Sequence, residues 1–441
     1  MNARSQWWNV AIFLTLIAAL AVMNLVKPGS NGKEIAELEK REMQIWPAFS
    51  LDKLWQGQLF KEYDNYFSDH FVFRSRFIEL GMTAKSYKGM QDKDGISLVT
   101  TAGGNNMGEA LGEDGGDGDG AVPAFGQTDP DAGAPAQTDD AGELVNGESS
   151  QYLVIKDKAM LLYQYSPESA EAYAAAINHL HDAVGPDVRV YSMLVPSQVE
   201  FIESEKLRKL SGSQKEATEH VYGLLQPGVK GVPAYEHIER HKDEYVYFRT
   251  DHHWTALGAY YGYEAIAEAM GFDPVSLDQY ETKDLPGYLG TAYAATRKPE
   301  LRKNPDTVTT YLPSVKHEYK VYYDQKHGVK KTLVEGKIPV DGRGGYAVFL
   351  GGDFAMSRVT TKADNGKRLM IVKDSYANAI VPFLLPHFEE IELVDPRYFK
   401  GNLADEIKER GITDVLFING PVVTTYKGIA NMVEALLPGN E

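Results

Sequence analysis

The chain contains no cysteine. Disulfides, thiolate metal sites and a cysteine nucleophile are therefore excluded. An exported protein that folds without disulfides fits this, although the absence does not itself establish export. Basic charge is also scarce: 45 Lys and Arg stand against 62 Asp and Glu, for a formal net charge of −17. A nucleic-acid partner needs a basic footprint over its phosphates, so that class is set aside. Segment 101–150 has no Lys or Arg and eleven acidic residues, which leaves −6 of the −17 for everything else. It is also nearly devoid of large apolar side chains. A Gly-, Asp-, Ala- and Pro-rich stretch of this kind cannot bury enough surface to offset the entropy of ordering, so 100–150 is predicted to be a disordered insert. Gly115-Gly116-Asp117-Gly118-Asp119 brushes against a calcium-binding nonapeptide repeat, but one copy without its apolar residue is weak support for a site.

What is present begins at the N-terminus. Residues 7–26 form a run of mostly apolar side chains of the length a bilayer core requires, with Trp7 and Trp8 suited to the interface. An uncleaved membrane anchor within residues 1–30 is the leading expectation. Ala19-Leu20-Ala21 also fits a signal-peptidase site. Either reading places the folded part outside the cell membrane. Residues 31–99 carry apolar residues at roughly helical spacing (Leu51, Leu54, Leu59, Tyr63) and an aromatic cluster from Phe67 to Phe73, expected to dock these helices on the main domain.

The main domain is expected over 151–441. Helix-like runs (167–184, 214–225, 256–270, 403–410) alternate with strand-like ones (188–195, 229–235, 368–372, 390–394, 413–418), and a β-rich insertion fills about 280–352. Strands alternating with helices predict an α/β fold: a parallel sheet covered on both faces, with ligands at the carboxyl edge of its strands.

Two turns fall where that edge is expected. Arg249-Thr250-Asp251-His252-His253-Trp254 follows the strand-like run 245–248, and Lys373-Asp374-Ser375-Tyr376-Ala377-Asn378 follows 368–372. Asp251 and His253 are separated by one residue, so their side chains can share a face. The carboxylate can then hold Nδ1 while Nε2 serves as a general base. Ser375, at a strand-to-helix break, can expose its hydroxyl beside backbone N–H groups that face a developing oxyanion. Plainer readings stand beside these: Thr250 or Asp251 as a helix N-cap, Ser375 as another, and Asn419 as half of a turn-forming Asn-Gly pair rather than an oxyanion donor. A metal site from Asp251, His252 and His253 is a third reading; His237 and His241 look like a solvated face, and no metal or cofactor is expected. Ser197 is a rival nucleophile, read as loop lining. Asn378 is polar in an apolar stretch, and Trp254, Tyr376 and Tyr398 are candidates for stacking on sugar rings or for packing.

The TDHHWT stretch (250–255), the VKDSYANAIVPFL stretch (372–384) and the ITDVLF strand (412–417) occur in that order. Together they resemble the DHHW protein family, within the SGNH-hydrolase-like group that also holds the alginate O-acetylation proteins. The resemblance implies an SGNH-like, flavodoxin-like sheet with permuted motif order. It puts the Asp-x-His pair on Asp251 and His253 and the GDS-type serine on Ser375, as a catalytic triad. Asn378, Asn419, Tyr376 and Trp254 are then expected around the substrate. Two departures stand out: Lys373 occupies the glycine of GDS, which leaves substrate preference open, and Asp-x-x-His is one residue shorter. The family implies O-acetylation of a cell-surface or secreted polysaccharide, often beside a membrane-bound O-acyltransferase that delivers the acetyl group. The expectation is therefore an extracytoplasmic O-acetyltransferase or acetylesterase. The alternative is a catalytically silent carbohydrate-binding or scaffold subunit of a polysaccharide modification or export machinery.

Overall fold

The computed structural model describes residues 45–55, 58–74, 76–77, 95–101, 150–313, 315–323, 327–339 and 344–439, with positions 15, 23, 35–36 and 41–42 besides. The expected anchor at 7–26, other than positions 15 and 23, and the acidic segment from 102 to 149 lie outside the described residues. No helix of the described residues is long and apolar enough to cross a membrane.

The chain divides into two compact units, 1–91 and 92–441. In the first, helices Leu51–Trp55 and Gln58–His70 are described, with the Trp46 ring edge-on to Tyr63 and Tyr66 at 5.3 and 5.0 Å. Ile35–Ala36 and Arg41–Glu42, within the stretch expected to be helical, pair instead as short antiparallel strands.

The first strand described in the second unit is β1 (Ile96–Thr100). β1 pairs antiparallel with β2 (Gln151–Ile155), and β2 with β3 (Lys158–Leu161). Thr100 lies opposite Gln151, so the chain leaves this small sheet at 101 and rejoins it at 150.

The central sheet follows. Its strands are β4 (Arg189–Leu194), β5 (Val229–Gly231), β8 (Glu318–Tyr322), β9 (Gly328–Lys331), β10 (Met356–Thr360), β11 (Arg368–Lys373), β12 (Glu390–Val394) and β13 (Asp414–Asn419), in the spatial order β9-β8-β10-β12-β11-β13-β4-β5. The five from β12 to β5 are parallel. β10, β8 and β9 extend the sheet antiparallel. Part of the expected β-rich insertion is therefore one end of the main sheet. Its other strands, β6 (Glu281–Tyr288) and β7 (Asp306–Leu312), form a separate hairpin. Near the end of the expected β-rich insertion, Gly345–Val348 is a 3-10 turn rather than a strand.

Strand periodicity explains the two layers. Met370, Val372, Val415 and Phe417 face one core with helices α1 (Pro167–Val184), α5 (Leu403–Arg410) and α6 (Lys427–Glu434). Leu369, Ile371, Leu416 and Ile418 face the other, with α3 (Ala234–Arg240) and α4 (Ala256–Met270). α1 shows how sequence sets a boundary. Ser166 accepts a hydrogen bond from Ser169 N–H, Pro167 occupies the first turn, and Gly185 ends the helix at φ 79°. Its Ala170, Tyr173, Ala174 and Ile177 recur at helical spacing and are buried. Full burial of a side chain such as Ile177 contributes roughly 1.5–3 kcal/mol.

Candidate active site

Residues 245–254 were expected to begin with a strand and do not. Tyr247 and Trp254 form a lone antiparallel bridge, and Phe248 N–H donates to His253 O at 3.3 Å, so the chain doubles back with Asp251 and His252 at the bend. The apolar run 246–248 is buried because the loop is inserted among core residues, with α4 against it. Gly258 of α4 makes this approach possible, since a Cβ there would lie 2.4 Å from Val246 O. Asp306, at the start of β7 and fully buried, anchors the loop. Its carboxylate accepts from Thr250 N–H (2.8 Å), Thr250 Oγ1 (2.6 Å), Arg249 N–H (3.1 Å) and the Tyr245 hydroxyl.

Asp251 is itself buried and its carboxylate accepts five hydrogen bonds. Oδ1 takes His253 N–H (3.0 Å) and His253 Nδ1 (2.6 Å); Oδ2 takes the Tyr288 hydroxyl (2.6 Å), Thr291 N–H (2.8 Å) and Thr291 Oγ1 (3.1 Å). Burial alone would raise its pKa, but the adjacent His253 and the hydrogen-bond donors hold the carboxyl well below its usual value. Gly290 leaves room for it: a Cβ there would meet Oδ2 at 2.3 Å. The imidazole of His253, with Nδ1 committed to Asp251, places Nε2 2.7 Å from Ser375 Oγ. The ring is fully buried and stacks on Tyr346, with centroids 3.8 Å apart and planes 5° from parallel.

Ser375 stands two residues after the end of β11 and opens the 3-10 turn Ser375–Ala379. Asp374 caps that turn. It accepts from Tyr376 N–H at 3.0 Å and, across to the end of β13, from Gly420 N–H at 2.7 Å; burial pushes its pKa up. Pro382 lies in the first turn of the next short helix, Val381–Leu384, where its missing N–H costs nothing.

Below the turn lies a buried ion cluster that sequence reasoning missed. Lys373 Nζ donates to Asp353 Oδ1 (2.5 Å) and Asn378 Oδ1 (2.8 Å), and Asn378 Nδ2 donates to the same Asp353 oxygen (2.9 Å). Arg397 Nη2 reaches Asp353 Oδ2 (2.8 Å) and Asp395 Oδ2 (2.6 Å). Two cations meet two anions, so the cluster is neutral. Lys373 therefore points inward, and its replacement of the GDS glycine is a matter of supporting the turn. Strand alternation could have flagged it: position 373 continues the inward-facing series, where a lysine demands a buried partner.

The other predicted residues divide. Asn378 is consumed in that cluster. Trp254 is fully buried, its Nε1–H donating to Tyr376 O at 2.9 Å, while the Tyr376 hydroxyl donates to His252 O at 2.7 Å. The two rings thus tie the Asp251–His253 bend to the serine turn, and Tyr376 also lines a cavity. Asn419 ends β13 beside β11; its Oδ1 accepts from the Tyr173 hydroxyl at 2.7 Å, which leaves Nδ2 as a donor at the same sheet edge as Ser375. Thr255, not Thr250 or Asp251, caps α4. Ser197 exchanges hydrogen bonds with Gln214 and has no histidine partner. His237 pairs with Glu268 and His241 with Glu244. Tyr398 lies under the Arg397 guanidinium.

A cavity of about 100 Å³ adjoins the bend, lined in part by Asp251, His252, Tyr376, Ser197 and Gly420; Ser375, next in sequence to Tyr376, is 2% exposed and not part of this lining. Among the described residues, Asp251, His252 and His253 also form the one group whose ligand atoms lie close enough to hold a metal, within 4.8 Å of one another. The Asp251 oxygens and both His253 nitrogens are already committed to hydrogen bonds, which suits a proton relay better than a cation.

No match is found among the curated proteins. Among solved structures, a DHHW family protein from Eubacterium siraeum DSM 15702 is 33% identical with a TM-score of 0.59, over 65% of this chain and 95% of that one. PatB1 of Bacillus cereus, solved with a sulfonyl adduct, is 22% identical with a TM-score of 0.52, over 62% of this chain and 95% of that one, a likeness of fold. Residues 127–394 match the family model described as DHHW protein, which is more than half of the chain, and the protein belongs to that family.

Proposed function

We propose that this protein is a serine-dependent acyl-handling enzyme that transfers or hydrolyses O-acetyl groups on a cell-surface or secreted polysaccharide. The observation that carries the reading is the hydrogen-bonded series Asp251 Oδ1, His253 Nδ1, His253 Nε2, Ser375 Oγ, with links of 2.6 and 2.7 Å. His253 takes the Ser375 proton as Oγ attacks the acetyl carbonyl carbon. The tetrahedral oxyanion collapses, the donor alkoxide leaves with the proton from His253, and an acetyl-serine remains. A sugar hydroxyl, or water, then attacks; His253 takes its proton and returns one to Ser375. Asp251 stays ionised throughout and steadies the imidazolium. Asn419 Nδ2 and the N–H of Ser375 are the oxyanion donors in this scheme. The sulfonyl adduct of PatB1 is in keeping with it, since an activated nucleophile gives such a product. The acetyl donor is supplied by a membrane-bound O-acyltransferase, and the N-terminal segment displays the enzyme outside the membrane.

The near-complete burial of Ser375 favours one other reading, a silent carbohydrate-binding or scaffold subunit that keeps the fold. One experiment separates the two. The wild-type chain should turn over p-nitrophenyl acetate and be labelled by a sulfonyl fluoride at Ser375, and Ser375→Ala should lose both. Turnover surviving in Ser375→Ala removes the triad; a wild type that is never labelled but binds glycan establishes the silent reading.

A further inference from the structure

A larger cavity, of about 710 Å³, also borders the β2–β3 hairpin, within the roughly 300–1,000 Å³ of ordinary ligand pockets. Met160 and Gln198 line both spaces, so the two are neighbours. The hairpin is fixed to the catalytic loop by Ala159 N–H donating to Arg249 O at 2.9 Å, and Arg249 stands two residues before Asp251 at the rim of the larger space. Nothing in the acyl-transfer chemistry above uses this second space.

Its lining combines three features. Aromatic rings border it: half-buried Phe201, which stacks on the buried Tyr247, and Tyr245 at 38% exposure with the Arg249 guanidinium over one side of its ring. Charge is balanced, with four basic and four acidic side chains. Lys156, Lys158 and Lys242 have no ion-pair partner among the described residues, so their ammonium donors are available. Aromatic faces with donors and acceptors of both signs suit a polyhydroxylated chain, whose C–H faces stack and whose hydroxyls both donate and accept. A polyanion meets no net positive field there, and the chain as a whole carries −17.

We propose that this cavity is an acceptor subsite that holds a stretch of uncharged glycan beside the reacting unit. The inference rests on the acyl-handling reading and adds the substrate class: an extended neutral polysaccharide rather than a free monosaccharide or a polyuronate.

The test uses the full chain and three probes: p-nitrophenyl acetate, the base-deacetylated surface polysaccharide of the encoding strain, and polygalacturonate. Ser204→Trp fills the rim, where Ser204 makes no side-chain capping bond, and Lys242→Glu unbalances the charge. Calorimetric binding of the surface polysaccharide should weaken at least tenfold in both variants. The ratio of its effect on acetyl-ester kcat/KM to the ester's own kcat/KM should fall in step, and polygalacturonate should bind poorly to the wild type. Polysaccharide that fails to bind the wild type, binds all three proteins alike, or is matched by polygalacturonate overturns the subsite. Absence of ester turnover in the wild type, with glycan binding intact and sensitive to Ser204→Trp, instead overturns the catalytic reading and leaves the subsite standing.

Discussion

Lys373→Met removes one cation from a buried, neutral quartet, and its cost follows from the geometry. Lys373 and Asp353 are each 2% exposed and Asp395 is fully buried. The substitution leaves a net charge of −1 in that space and strips Asn378 Oδ1 of its donor. Breaking a buried pair by removing one partner costs about 3–5 kcal/mol, and an orphaned buried acceptor about 1–3 kcal/mol. Arg397 still reaches Asp353 at 2.8 Å, which places the expected loss near the lower end, about 3 kcal/mol. That is a large share of the roughly 5–15 kcal/mol by which folded proteins are stable. Adding Asp353→Asn restores neutrality, so the double variant should be more stable than Lys373→Met. The pH dependence has a definite sign. Burial opposes ionisation of Asp353, but Lys373 and Arg397 hold its carboxyl below the usual value. Its contribution is therefore present above the unfolded value of about 3.9 and is lost as pH falls through the folded one. Without Lys373 the folded pKa rises, so the gap between variant and wild type should narrow on acidification, at higher pH than the wild type loses its own contribution. Urea unfolding of the four proteins of the cycle, at pH 7 and at pH 5, measures all of this. A loss under about 1 kcal/mol for Lys373→Met, or additive single effects, would refute the clamp.

Three further outcomes follow from the site. Asp306→Asn removes the charge from the acceptor of Thr250 and Arg249; it should cost about 1.5–3 kcal/mol in thermal unfolding and slow sulfonyl labelling of Ser375, and unchanged labelling would separate the loop anchor from the relay. Tyr346→Leu deletes the ring stacked 3.8 Å from His253, and the loss of a cation–π partner for the imidazolium should lower kcat/KM by about 0.5–2 kcal/mol, while Tyr346→Phe retains most activity. Dialysis against EDTA should leave acetyl-ester turnover unchanged, because the Asp251 oxygens are filled by hydrogen-bond donors; activity lost and then restored by zinc would return the metal reading.

Much of the architecture was legible because it is written in local periodicity. α1 and α4 sit at their expected residues, since Ser166 with Pro167, Thr255, Gly185 and Gly271 punctuate amphipathic runs. The alternation of Leu369, Met370, Ile371 and Val372 between two cores is likewise a property of one strand. The reading failed where apolar residues are buried by something other than a sheet. Residues 245–248 look like a strand yet line an inserted loop, and Gly345–Val348 forms a 3-10 turn whose Tyr346 stacks on the His253 ring.

For the site, the residue types Asp251, His253 and Ser375 were readable from two short motifs, because each motif carries its own turn. The partners that position them were not: Tyr288, Thr291, Asp306, Asp353 and Arg397 come from other elements, and a hydrogen bond across 37 to 56 residues leaves no trace in spacing. The sequence by itself determined the absence of thiol chemistry, the acidic balance, the alternating α/β order and the motif residues, all of which depend only on composition and near neighbours. Only the tertiary structure decided that β8, β9 and β10 join the main sheet antiparallel, that Asn378 joins the Lys373–Asp353 cluster while Trp254 hydrogen-bonds Tyr376 O, and that 122 residues of chain close to bring His253 within 2.7 Å of Ser375. Those outcomes depend on which surfaces bury one another, a property of the folded whole.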